Sequence, residues 1–308
     1  MNQTLSRTAG VFGSMQRFWL VVGYVVVVLI WGTTWIALGT QVENTSVHIS
    51  VALRTGCASL IFFGCLAALR LPWRLRRDQL RAVLVQGVCF YGTNFIAVYS
   101  ASQYLTSGVL AVVFSITVPF NLVVGWLVEQ RRPTLATLVA ALMGITGIGL
   151  VFGTELAHTT LSSSVYWGAG LAVFGAATVA VGNVLLAGAA ASEIGMLRVN
   201  AYGFGVGTAA ILLWGLVSGS PWTLAVTPSW IAGFAYLLLI GSVLALAIYI
   251  KILPQIGYVA GAYVVVLAPV IALAISSVFE HLTIGPLTIA GVVLLLAGHS
   301  ILILRGRR

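Results

Sequence analysis

Charge is what this sequence most lacks. Of its 308 residues 7% are charged and 60% hydrophobic. A water-soluble domain carries about 25% charged residues, so a soluble fold is excluded. Acid is scarcer than base. The six acidic residues, Glu43, Asp78, Glu129, Glu155, Glu193 and Glu280, all fall in polar breaks or at the ends of apolar runs. None is left for a membrane interior, where proton relays commonly use buried Asp, Glu or His. The four histidines read the same way: His48, His158 and His281 near the outer face, His299 near the inner end of the last run. Cysteine is also rare. Cys57, Cys65 and Cys89 each sit inside an apolar run, which excludes a disulfide framework and leaves packing as their expected role. No cluster has metal-ligand spacing and no nucleophile is set against a base, so the sequence implies neither metal nor cofactor, and no enzyme.

What is present is ten apolar stretches, each near the roughly 20 residues that cross a bilayer as a helix. They predict helices at 18–39, 47–69, 79–101, 105–127, 134–153, 166–189, 196–218, 229–251, 257–279 and 284–304. The run after Arg17 continues as Trp31-Gly32-Thr33-Thr34-Trp35 with no small-residue cleavage site, so an uncleaved first helix is expected. The formal charge of +9 does not point to nucleic acid. Arg7, Arg17, Arg70, Arg74, Arg76, Arg77, Arg81, Arg131, Arg132, Arg198, Lys251, Arg305, Arg307 and Arg308 all fall on one side if ten helices are counted. That asymmetry places both termini in the cytoplasm. The one exception is Arg54, inside the second helix.

The chain also repeats itself. Tyr99, Ala111 and Pro119 recur 150 residues later as Tyr249, Gly261 and Pro269. Glu129, Ala140 and Gly147 recur 151 later as Glu280, Gly291 and Gly298. Five is odd, so the halves face opposite ways, as in many solute transporters. The expected fold class is an all-α integral membrane protein of ten transmembrane helices in two inverted five-helix repeats. The repeats are 18–153 and 166–304, joined by an outer-side (periplasmic) linker at 154–165, within one membrane domain.

These residues resemble a family. Trp31-Gly32, Arg54, the stretch Ala97 to Ala111 leading to Pro119, Gly125-Trp126-Leu127-Val128-Glu129, and Gly291 to Gly298 are similar to the drug/metabolite transporter superfamily, in its ten-helix EamA-type branch. Helix 6 departs from the family pattern at Val179-Ala180. The resemblance implies export of amino acids or related metabolites from the cytoplasm across a bacterial inner (plasma) membrane. It also implies a cavity between helices 1, 3, 4, 6, 8 and 9, with 5 and 10 peripheral.

Neutral polar and aromatic residues are left to line such a cavity. Trp31 and Trp35 are one turn apart, and an indole N–H in a membrane core must be satisfied inside protein. Tyr91 and Asn94 share a helical face. Ser115, Asn183 and Tyr263 complete the expected substrate-binding set. A buried amide equally serves interhelical hydrogen bonding, worth about 0.6–2 kcal/mol. Pro119 and Pro269, mid-helix at matched positions, are the expected hinges. Arg54 is either a gate or carboxylate contact or a structural residue. Trp73, Trp167, Trp222 and Trp230 read as interfacial belt residues. Gly203, Gly205 and Gly207 read as a packing face, not a nucleotide loop.

The expected function is outward movement of small neutral or zwitterionic metabolites, apolar or aromatic amino acids first, by alternating access as a uniporter. The alternatives are a multidrug exporter and, from another class, a membrane-embedded lipid-modifying enzyme. The expected partners are the substrate and membrane lipids, with no nucleic acid, and the protein is expected to be a monomer.

Overall fold

The structure, a computed structural model, describes residues 2–130, 133–158, 163–188 and 194–305. The middle of the linker, Arg131, Arg132, Glu193 and the terminal Arg307 and Arg308 lie outside the described residues, as do the side chains of Glu129, Glu155 and His158. The described residues are helical or in short connections, with no strand among them. The helices are α1 (Asn2–Val42), α2 (Val47–Ala68), α3 (Arg77–Ala101), α4 (Ser107–Val128), α5 (Leu135–His158), α6 (Ser163–Gly188), α7 (Met196–Val217), α8 (Pro228–Ile256), α9 (Tyr263–Phe279) and α10 (Pro286–Arg305). The first eight are long and apolar enough to cross a membrane, and α9 and α10 carry shorter apolar stretches. The expected all-α membrane fold of about ten helices is what the chain adopts.

Helix ends follow local chemistry. Asn44, Arg70, Gln130, Gly219 and His281, just past the ends of α1, α2, α4, α7 and α9, have φ between 52° and 64°. A left-handed residue there satisfies carbonyls that the last turn leaves free. The break between α8 and α9 differs from expectation. Helical backbone continues from Ala245 to Phe279, yet the chain doubles back within it. A Cβ at Gly261 would lie 2.4 Å from Leu253 Cδ1 and 3.0 Å from Tyr249 Oη, whereas residues twelve apart on a straight helix are about 18 Å apart. The reversal follows Pro254, whose missing N–H lets the helix turn.

The two matched prolines are also unlike each other. In α4 the helix is interrupted at Ser115 and Ile116, where Ser115, Ile116 and Val118 donate to the carbonyls three residues back. Pro119 removes the N–H that would have bonded Ser115, and the chain tightens to three-residue bonding in response. Around Pro269 the backbone stays helical.

Two π-helical segments punctuate the bundle, Gly87–Thr93 in α3 and Tyr236–Leu244 in α8. They lie about 150 residues apart, the offset of the sequence repeat. The tightest helix pair obeys the same offset. In α5 and α10 a Cβ at Gly147 would stand 2.4 Å from Gly291 O, and one at Gly298 would stand 2.5 Å from Ala140 O. Backbones this close need glycine, and in a membrane such contacts supply much of the helix association.

On one side of the bundle the α7–α8 connection is tied to the α1–α2 turn. Ser46 N donates to Thr223 O at 2.9 Å, and Ala225 N to Thr45 Oγ1 at 3.0 Å. Below them Trp230 Nε1 donates to Ser50 Oγ (3.1 Å), Ser50 Oγ to Gln41 O (2.6 Å), and Gln41 Nε2 to Trp230 O (2.9 Å). Trp230 is therefore buried, not a belt residue, whereas Trp73, Trp167 and Trp222 are about half exposed. On the same side the Glu280 carboxylate accepts from Ser107 N at 2.9 and 3.1 Å and from the Ser107 hydroxyl. A carboxylate at the first residue of α4 meets the positive end of its helix dipole, and it fastens α9 to α4.

Candidate functional site

The helices enclose a cavity of about 540 Å³. Its wall comes from α1, α2, α3, α4, α6, α9 and α10. α8 does not line it, and α10 does. Expectation is corrected on both points. α10 packs on α5 through the glycine seam, which turns His299 inward, while α8 acts at one remove through Ser242.

Most of the wall is apolar and aromatic. Trp31 and Trp35 lie in it, Trp31 packed 5.2 Å from Tyr249 and Trp35 5.4 Å from Phe114 between ring centroids. Phe90, Phe95, Val98, Val265 and Val266 continue it. Of the expected binding residues, Trp31, Trp35, Asn94, Ser115 and Asn183 are brought together here, with Arg54 and Pro269 beside them. Tyr91, Tyr263 and Pro119 are not in the wall. Tyr91 is turned the other way. Its ring stacks on Phe204 at 3.9 Å, its hydroxyl donates to Asn200 Oδ1, and Gly203 and Gly207 make room for it. It holds α3 to α7, so the glycine face of α7 serves packing.

Polar groups of the wall gather toward two ends, with Thr34 and Asn183 also in it. At one end is Arg54, 8% exposed. Its Nη1 donates to Tyr99 Oη at 2.9 Å, and its Nε and Nη2 to Ser242 Oγ at 3.3 and 3.1 Å. Its guanidinium also lies 5.0 Å from the Phe95 ring centroid, a cation–π contact. All these partners are neutral. The ion pair Arg76–Asp78 lies on an exposed turn, outside the cavity wall. Ser242 belongs to the π segment of α8, and the wider turn leaves it bonded to Leu237 O, five residues back, at 3.0 Å. The irregular backbone thus positions the acceptor that holds Arg54. One residue before Phe95, Asn94 donates from Nδ2 to Phe90 O at 3.1 Å. Its Oδ1 is buried without a partner.

At the other end are Thr117, Asn121 and His299. The Thr117 hydroxyl returns to its own helix, donating to Phe114 O at 2.7 Å, as Ser115 does to Ala111 O at 3.0 Å. Asn121 Oδ1 and both ring nitrogens of His299 are buried without partners. His299, near the C-terminal end of α10 as expected, is 2% exposed. Its ring lies beside Gly144 of α5, whose Cβ would stand 3.8 Å from His299 Nε2. No His, Cys, Asp or Glu cluster able to hold a metal occurs among the described residues.

Among the described residues, apolar helices around an aromatic cavity with polar groups in its wall are the architecture of a multi-pass membrane protein. Residues 18–153 match the EamA-like transporter family, which makes that stretch of the chain similar to the members of this family. No curated protein matches. A solved crystal structure superposes with a TM-score of 0.64 over 94% of this chain and 98% of its own, at 17% identity, which speaks for the fold alone.

Proposed function

We propose that the protein exports small neutral or zwitterionic metabolites from the cytoplasm by alternating access, apolar and aromatic amino acids first among them. The observation that carries this is Arg54, a buried cation on the cavity wall whose partners are all neutral. Burying a charge without a counter-ion is costly. A substrate carboxylate supplies the missing charge, in the geometry a guanidinium suits best. The unpaired Asn94 Oδ1 takes an α-ammonium, which can only donate. The side chain then runs among Trp31, Trp35 and Phe114.

A multidrug exporter for lipophilic cations fits less well, because Arg54 repels the cargo and no carboxylate faces it. A lipid-modifying enzyme would need an acid–base pair, and His299 faces no Asp or Glu in the wall. Movement down the substrate's own gradient is the favoured energetics, given the absence of acid from the wall. His299 makes an imposed pH gradient the necessary control.

The test is efflux of labelled L-phenylalanine from proteoliposomes holding the purified protein. Saturable efflux without an ion gradient, inhibited by other apolar amino acids, is expected. Efflux of a lipophilic cation with no amino-acid movement would sink the substrate assignment. Accumulation above equilibrium driven by a pH gradient would sink uniport.

A further inference from the structure

One end of the cavity is unused by an apolar amino acid held at Arg54 and Asn94. Along α4 the wall runs from Ala111 to Asn121, ten residues or about 15 Å of helix. Arg54 is at the Ala111 end, since it is bonded to Tyr99 near the end of α3. His299 is at the Asn121 end. A Cβ at Gly144 would lie 3.8 Å from His299 Nε2. α5 follows α4 across a short turn, so Gly144 lies level with Pro119 to Asn121.

This far end is built of polar groups without partners. His299 Nδ1, His299 Nε2 and Asn121 Oδ1 are all buried and unbonded. A neutral imidazole offers one donor and one acceptor, and the amide oxygen is an acceptor. Leaving such groups unmet costs more than an apolar wall would. The surrounding helices do not satisfy them. α5 carries no titratable side chain between Leu135 and Thr154, α4 none between Ser107 and Val128, and α10 none but His299 before Arg305. α9 brings Tyr263, which is absent from the wall, and Arg54 and Tyr99 are at the opposite end. A wall of about this length admits an amino acid held at its carboxylate near Arg54, with a polar group at the tip of a large side chain lying toward Asn121 and His299.

We infer that His299 and Asn121 form a second substrate subsite, one that reads a hydroxyl or N–H at the far end of the side chain. The inference rests on the amino-acid reading above. It narrows the preferred cargo from aromatic amino acids in general to those with a polar tip, such as a phenol. His299 and Asn121 then determine specificity, while Arg54 and Asn94 bind what every amino acid shares.

The experiment is equilibrium binding to the purified protein, followed by tryptophan fluorescence, with L-tyrosine, L-phenylalanine and O-methyl-L-tyrosine as probes. Wild type is expected to bind tyrosine about 5- to 100-fold more tightly than phenylalanine, with O-methyl-tyrosine losing most of that preference. His299→Leu and Asn121→Leu should lower the tyrosine preference and leave phenylalanine binding at or above the parent level. His299→Gln, which keeps a donor and an acceptor, should retain part of it. A folded His299→Leu protein that keeps the full preference would overturn the subsite, as would equal binding of tyrosine and phenylalanine by wild type. Both of those outcomes leave the amino-acid reading standing. If neither amino acid binds, that reading fails and the subsite with it.

Discussion

Replacing Arg54 with methionine separates the two roles open to it. The side chain makes three hydrogen bonds, to Tyr99 Oη at 2.9 Å and to Ser242 Oγ at 3.1 and 3.3 Å. As a strut those bonds would matter to stability, at about 1.5–3 kcal/mol for each bond to a charged group. Against them stands the cost of keeping a cation 8% exposed with no counter-ion, several kcal/mol for an ion in a protein interior. The two sums nearly cancel. Methionine fills most of the same volume, and Ser242 Oγ keeps its bond to Leu237 O. Arg54→Met should therefore unfold at a temperature close to that of the parent, or above it. Its substrate binding should fall about 10- to 150-fold, the loss of one charge-assisted bond. Thermal unfolding in detergent and efflux from proteoliposomes, normalised to folded protein, measure the two quantities. A variant that unfolds much earlier, yet moves phenylalanine normally per folded molecule, would make Arg54 a strut and remove the basis of the carboxylate assignment.

Other variants probe the rest of the frame. Trp31→Ala and Asn94→Ala should each weaken phenylalanine transport by about 5- to 150-fold while membrane expression holds, since each removes a wall contact worth about 1–3 kcal/mol; unchanged transport in both would reduce them to packing. Tyr91→Phe should cost about 1–3 kcal/mol of stability, because the buried Asn200 Oδ1 loses its donor, and leave the substrate KM unaltered; a large KM change would return Tyr91 to the binding set. Gly147→Val should disrupt the α5–α10 seam, where its Cβ would stand 2.4 Å from a carbonyl oxygen, and cost about 1–3 kcal/mol or more; a parent-like elution profile and unfolding temperature would contradict the close approach. Ser229→Cys should react with impermeant thiol reagents from outside intact cells and Arg74→Cys only after lysis; the reverse pattern would invert the topology.

The helices were legible because a bilayer leaves so few options. Backbone groups in hydrocarbon must be satisfied within the segment, so ten apolar runs had to be helices of about that length. What local pattern did not carry is how a helix faces its neighbours. Tyr91 shares a face with Asn94 in an ideal α-helix, but the π segment Gly87–Thr93 widens the turn between them. The ring goes to Phe204 and the amide to the cavity. Trp230 resembled a belt residue because it opens an apolar run, and a partner 180 positions earlier, Ser50, draws it inside. His299 lies near the C-terminal end of α10 as expected, and what position along the helix does not carry is that its ring is buried in the cavity wall. The orientation of the glycine seam, not depth, decides where that ring points.

The unpaired groups of the wall give the cavity its chemical character. Buried side-chain atoms without partners also occur elsewhere in the bundle, at Gln41, His48, Gln86, Thr106 and Ser276, while those in the wall belong to Asn94, Asn121 and His299. A cation with neutral partners and an unbonded amide oxygen lie toward one end of the wall, and an unbonded amide oxygen and an unbonded imidazole toward the other. Between them lie rings that ask only for contact. Each unmet buried group raises the free energy of the empty cavity by about 1–3 kcal/mol, and a ligand that meets it recovers that amount. A ligand of the wrong polarity recovers nothing and still displaces whatever solvent had entered. On the amino-acid reading, selectivity therefore comes mainly from the penalty of leaving these few groups unanswered. That is why exchanging single polar atoms in the probe, with the aromatic body held constant, discriminates more sharply than changing the size of the side chain.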